Sequence, residues 1–201
     1  MNTTTHTLER PEAPVSPGHA PLQHAVVDVV GSPFEVIWSP EDGAIRAAGF
    51  AETTSEPGRD PERSGLMERL ARLDPDLAVR GLAGEPGSGP VVDALRAYAA
   101  GDLGTLDTLT VAQPETPFRG EVWRALRGVP SGSAVTYTEL AARAGRPSAV
   151  RAAASGCANN LVALIVPCHR IVRSDGGLGG YLFGVELKER LLRHEGARSG
   201  R

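Results

Sequence analysis

Cys168 and His169 set a thiol beside an imidazole within the tetrapeptide Pro167-Cys168-His169-Arg170. A cysteine sulfur is a strong, soft nucleophile once it has lost its proton, and at its free pKa it is mostly protonated at neutral pH. Cysteine is also among the most buried residue types, so on its own this thiol reads first as core filling. Its neighbours must decide between the two. The other cysteine, Cys157, reads as a small packing residue, with a redox partnership to Cys168 as the lesser alternative. Two cysteines are too few for a disulfide framework and form no CxxC or Cys/His cluster, so no structural zinc or other metal is expected.

The elements around the thiol are organised to present it. Leu161 to Val166 is an unbroken aliphatic run that predicts a buried extended segment. Pro167, with a fixed φ and no amide hydrogen, ends regular pairing and turns Cys168 out of that segment. Upstream, Phe118, Val122, Trp123 and Leu126 mark an amphipathic helix stopped near Gly128. Two short helices follow, over 138–144 and 148–158, joined by a turn at Gly145, with Pro147 expected in the first turn of the second. That helix exposes Arg151 beside small residues at 152, 153, 154 and 156, which suit either a close approach to a DNA minor groove or tight internal packing. Downstream, a glycine-rich loop over 174–180 leads to a helix from Val185 to His194. Glu195 ends that helix, where the dipole disfavours a carboxylate.

The first half reads as a scaffold. Residues 1–23, with prolines at 11, 14, 17 and 21, predict a disordered tail. Short β-type runs over 24–30, 34–38 and 44–50, separated by Gly31-Ser32 and by Pro40 to Gly43, predict a small antiparallel sheet. A loop over 51–63, a helix through Leu66, Met67, Leu70 and Leu73, and a second helix over 91–99 complete this half.

Charge is spread unevenly. Residues 1–118 hold 8 Arg and 18 acidic residues, net −10, whereas 119–173 hold 8 Arg and 2 acidic residues, net +6. The remainder, 174–201, carries 5 basic and 4 acidic residues, which returns the overall −3. A +6 segment beside an acidic half is what a local phosphate-binding face requires. A solvated helical surface answers the same description. No apolar stretch is long enough to span a bilayer and the start carries no signal pattern, so a cytoplasmic protein without membrane partners is the expectation.

Taken in order, the motifs of the second half resemble the O6-alkylguanine-DNA alkyltransferases, the methylated-DNA–protein-cysteine methyltransferases. The resemblance runs through Thr116-Pro-Phe to Val122-Trp123, Val135-Thr-Tyr137, Arg151-Ala152, Asn160, Pro167-Cys-His-Arg170, Gly180-Tyr181 and Leu191-Leu to His194-Glu-Gly196. It is nearest to the methyltransferase half of the bacterial adaptive-response protein, without that protein's cysteine-rich regulatory half. Over 24–112 it is only architectural. It implies an α/β, ribonuclease-H-like N-terminal lobe over 24–112. A mostly helical C-terminal lobe with a winged-helix-like helix-turn-helix is implied over 113–201.

The resemblance also implies roles. Cys168 accepts the alkyl group, His169 takes its proton through a bridging water, and Glu195 holds the imidazole. Tyr137 donates to the departing purine, and Asn160 ties the helix-turn-helix to the thiol segment. Arg151 fills the space left by a flipped nucleotide, and Tyr137, Thr138, Arg146 and Ser174 touch DNA. Tyr181, Leu182 and Phe183 form the substrate pocket, which Phe183 narrows in favour of methyl over benzyl. The expected partner is double-stranded DNA carrying O6-methylguanine, with O4-methylthymine a second candidate lesion. The protein would act as a monomer, without cofactor, once per molecule. Two other readings stand beside this one: a non-catalytic lesion-binding protein, whose members replace the nucleophile, and a Cys-His hydrolase, which would need an oxyanion hole.

Overall fold

The computed structural model describes residues 19–51, 65–84 and 87–197. β1 (Gln23–Val29), β2 (Ser32–Trp38) and β3 (Ile45–Phe50) form an antiparallel sheet in the order β1-β2-β3. The first turn is tight, with Val29 opposite Ser32 and Gly31 at a φ of 75° that a side chain would resist. Alternating burial along β1 follows its sequence pattern, and Val27, Phe34 and Val36 point into the core.

Ala20 to Gln23 make defined contacts where the sequence predicts disorder. Leu22 is fully buried, pairs with Leu82 and exchanges backbone hydrogen bonds with Gly81 and Ala83. Arg80, itself buried, donates to the Ala20 carbonyl and the Glu41 carboxylate, which holds the chain entering β1. The expected disorder is therefore corrected at Leu22 and Gln23, where polar and proline-rich flanks hide a single anchoring leucine. Residues 1–18 of that tail, and the loop expected over 51–63 apart from Ala51, lie outside the described residues.

α1 (Gly65–Leu73) buries Leu66, Met67 and Leu70, and α2 (Pro75–Ala78) is one turn capped by the Asp74 side chain. α3 (Pro90–Ala99) has proline in its first turn and buries Val91, Val92, Leu95 and Tyr98. The second half contributes α4 (Pro117–Arg127), β4 (Val135–Thr136), α5 (Tyr137–Arg143), α6 (Val150–Ala158), β5 (Ile171–Val172) and α7 (Val185–His194). β4 pairs parallel with β5, and α5 opens on a capping box between Thr136 and Glu139. One apolar core runs from Ala25 and Val27 through Tyr98, Val122 and Leu126 to Leu191, so both halves of the chain share it. Sheet and helices together make an α/β protein. Among the described residues, no helix is long and apolar enough to cross a membrane.

Two local expectations need correction. Pro147 lies in the turn before α6, closed by the Ala149 amide on the Arg146 carbonyl, and α6 begins three residues later. Leu161 to Val166 is buried throughout but is not a strand. Only Val162 bridges to β3, at Ala48, after which the chain doubles back with the Val166 amide on the Val162 carbonyl. Leu164 sits at φ 67°, a left-handed conformation that costs a β-carbon residue roughly 1–2 kcal/mol. An all-apolar run specifies burial on every side; it does not specify extension.

Candidate active site

The doubled-back segment needs its backbone groups satisfied inside the core, and Asn160 does much of this. Its Oδ1 accepts from the Val162 amide at 3.1 Å and from Gln113 Nε2 at 3.2 Å. Its Nδ2 donates to the Val166 carbonyl at 2.8 Å and lies 3.3 Å from Cys168 Sγ. Gln113 also accepts from the Leu161 amide, and Arg69 of α1 donates to the Asn160 carbonyl at 2.8 Å. Cys168 then opens a single 3-10 turn, Cys168–Arg170. Burial pushes its thiol pKa up, while the Asn160 hydrogen bond and the Lys188 charge pull it down; burial prevails.

His169 is fully buried, with Nε2 3.0 Å from Glu195 Oε1. Since a carboxylate only accepts, Nε2 carries the proton when that carboxyl is ionised, which leaves Nδ1 as the basic nitrogen. Nδ1 has no hydrogen-bond partner among the described residues. Burial holds the imidazole pKa below 6.5 against the upward pull of Glu195, so the ring rests neutral. Arg170 clasps the same carboxylate, Nε on Oε2 at 2.9 Å and Nη2 on Oε1 at 2.8 Å. Burial raises the Glu195 pKa, but the hydrogen bonds from His169 and Arg170 and the Arg170 charge overcome it and keep the carboxyl ionised. Glu195 is therefore at a poor helix position for a specific reason. The Tyr98 hydroxyl supplies one more donor to Oε1, at 2.8 Å.

A cavity of about 300 Å³ opens beside the thiol, lined by Tyr137, Ala154, Cys157, Asn160, Cys168, Tyr181, Leu182 and Phe183 among others. A wider, shallower groove runs next to it over Arg173, Asp175, Gly177, Gly179, Gly180 and Val185. Burial, with the two nearby thiols, keeps the Tyr137 hydroxyl protonated. The Tyr181 hydroxyl is buried without a partner among the described residues, and Leu182 is 61% exposed. Phe183 leans on Tyr181 at 5.4 Å and on Phe50 of β3 at 5.6 Å.

Cys168, Asn160, Tyr137, Tyr181, Leu182 and Phe183 thus meet at one cavity, and His169 and Glu195 meet beneath it. Arg151, Thr138, Arg146 and Ser174 are exposed. Arg146 pairs with Glu121 at 3.4 Å and stacks on Phe118. The small residues of α6 divide: Ala153 and Gly156 pack inward, whereas Ala152 and Ser155 face solvent beside Arg151.

Three residues escaped the sequence reading: Tyr98, Arg170 and Lys188. Lys188 is fully buried and caps the Ile171 and Leu178 carbonyls, tying β5 to the glycine-rich loop. Its signal was available, because Lys188, Leu191, Leu192 and Glu195 share one helical face.

Residues 117–197 match the family model for the DNA binding domain of 6-O-methylguanine DNA methyltransferase. A methylated-DNA–protein-cysteine methyltransferase of Salmonella typhimurium is 48% identical over 108 residues, 54% of this chain and 63% of that protein. The Escherichia coli bifunctional transcriptional activator and DNA repair enzyme Ada is 55% identical over 80 residues, 40% of this chain and 23% of Ada. The chain thus spans just under two thirds of the first of these relatives. Among solved structures, Mycobacterium tuberculosis OGT in complex with DNA superposes with a TM-score of 0.63 at 26% identity, covering 87% of this chain and 92% of that one. The resemblance carried by the ordered motifs is upheld.

Proposed function

We propose that the chain, in keeping with the alkyltransferase relatives it matches, repairs O6-alkylguanine in duplex DNA by moving the alkyl group onto Cys168. The observation that carries this reading is a fully buried His169 paired with Glu195 directly beside a cavity-lining thiol. Those parts suit in-line attack on an alkyl carbon by a thiolate.

The lesion rotates out of the duplex, with Arg151 filling the vacated space, and enters the cavity over Cys168. His169 Nδ1 takes the thiol proton through a water, and the Glu195 carboxylate stabilises the imidazolium. The sulfur bonds to the alkyl carbon as the carbon–O6 bond breaks, leaving negative charge on the purine. Tyr137 donates a proton to it, and solvent returns to Tyr137 the proton His169 gathered. A thioether is not reversed by hydrolysis or thiol exchange, so each molecule reacts once.

The finer architecture belongs to the same proposal. β1, β2 and β3 with α3 stand for a ribonuclease-H-like lobe ending near 112. The α5-turn-α6 pair beside β4 and β5 stands for a winged-helix-like helix-turn-helix over 113–201. Thr138, Arg146, Arg151 and Ser174 form the face toward DNA, with Arg146 exchanging Glu121 for a phosphate. A cytoplasmic monomer without cofactor completes the reading.

The test is a duplex carrying labelled O6-methylguanine. One label per protein on Cys168, lost in Cys168→Ala while DNA binding persists, is the expected result. Repeated turnover, or no transfer, overturns it.

A further inference from the structure

We propose that Tyr98 is a positioning residue for the Glu195–His169 pair, so that the acidic first half of the chain helps hold the reactive centre. The inference deepens the repair reading and rests on it for its meaning.

Tyr98 is fully buried on α3 and touches the end of α7 at three points. Its hydroxyl donates to Glu195 Oε1 at 2.8 Å, the oxygen that His169 Nε2 also reaches. The Tyr98 carbonyl accepts from His194 Nε2 at 2.8 Å, and the two rings lie 5.2 Å apart. Two consecutive residues at the end of α7, His194 and the capping Glu195, are thus docked on one residue nearly a hundred positions earlier. Packing alone does not call for the hydroxyl, since a phenylalanine would fill the same space and keep the ring contact. A carboxylate only accepts, so the phenol must stay protonated, which burial and the Glu195 charge ensure. Arg170 fixes the plane of the carboxylate through both oxygens. Tyr98 approaches from α3 and fixes where along the end of α7 that plane sits.

Removing the hydroxyl has two opposed effects. Glu195 becomes slightly more basic, which favours the imidazolium; it is also held less firmly against Nε2, which disfavours it. Positioning requires the second to prevail. Tyr98→Phe is tested by the pH dependence of Cys168 alkylation with iodoacetamide, read at the peptide by mass spectrometry, and by single-turnover methyl transfer at saturating DNA. The Cys168 profile should move to higher pH by several tenths of a unit, and transfer should slow about fivefold, the scale of one hydrogen bond. Both changes should vanish in a Glu195→Gln background. An unmoved or downward-moving profile, or an equal effect in the Glu195→Gln background, overturns the proposal. Iodoacetamide needs no DNA, so a wild-type protein that fails to transfer methyl refutes the repair reading alone, while the Cys168 profile still decides Tyr98.

Discussion

The side-chain amide of Asn160 lies 3.3 Å from the Cys168 sulfur, and the same nitrogen donates to the Val166 carbonyl at 2.8 Å. One amide therefore both shapes the doubled-back segment and offers a donor to the nucleophile. Asn160→Asp keeps the acceptor for the Val162 amide but puts an acceptor and a negative charge against both the Val166 carbonyl and the sulfur. The Cys168 alkylation profile should move to higher pH and methyl transfer should slow. Asn160→Ala instead leaves the Val162 amide unpaired in the core and the Val166 carbonyl with the Cys168 amide alone, at about 1–3 kcal/mol for the buried orphan. Chemical denaturation should show that loss. An Asn160→Asp protein with the wild-type thiol profile would mean the contact does not tune Cys168.

The buried imidazole makes stability depend on pH in a defined window. The His169 pKa is depressed below 6.5 in the folded protein, so below pH 6.5 the unfolded chain takes up a proton that the folded one refuses. Stability should fall as pH drops from 6.5 through the folded pKa. Glu195 is likewise depressed from 4.5, and its contribution should be lost only below that value. Melting temperature against pH should thus decline in two stages, and His169→Gln should abolish the first. The methyl-transfer rate should lose activity on the acid side below 6.5 as the base protonates. A wild-type protein whose melting temperature is flat from pH 6.5 to 4.5 contradicts a neutral buried His169.

How far the chain could be read without coordinates depended on the range of the interaction concerned. α7 runs from Val185 to His194 as its spacing predicts, and the β1–β2 and β2–β3 turns lie where glycine and Asp42-Gly43 mark them. These are local signals. Cys168, His169 and Glu195 were legible through their order along the chain, since the His169–Glu195 contact links residues 26 positions apart. Tyr98 had no such marker: its apolar ring fits the period of α3, and its partner is 97 positions away. Arg170 passed as the last letter of a motif, although a guanidinium followed by Ile171-Val172 in a buried stretch must find acceptors. Leu161 to Val166 misled for the opposite reason, because an apolar run reports burial and leaves the path of the chain open.

Phe183 should set the limit on alkyl size. Its ring is wedged between the cavity and β3, where a β-carbon on Gly49 would come within 3.0 Å of Phe183 Cζ. Retreat away from the cavity is therefore closed. The wild-type protein should transfer methyl faster than benzyl, and Phe183→Ala should raise the benzyl rate relative to methyl. The same change removes the ring contacts to Phe50 and Tyr181, at about 2 kcal/mol of stability. Comparable single-turnover rates on O6-methylguanine and O6-benzylguanine in the wild type would remove Phe183 as the constriction.

Gly156 should matter through packing, at one remove from DNA. A β-carbon there would lie 2.8 Å from Val122 Cγ1 and 3.2 Å from Val122 Cβ, where α6 crosses α4. Valine in a helix has one strongly preferred rotamer, so it cannot swing aside. The close crossing also lets Trp123 Nε1 donate to the Gly156 carbonyl at 3.0 Å. Gly156→Ala should cost about 1–3 kcal/mol by overpacking, and Val122→Ala in the same chain should restore most of it. Because α6 carries Arg151, the displaced helix should also slow methyl transfer from duplex DNA while leaving reaction with the free base O6-benzylguanine nearly unchanged. A Gly156→Ala protein as stable as wild type would return the inward-facing part of the small-residue row to the groove-contact reading. Equal slowing on duplex and free base would instead place the damage at the thiol.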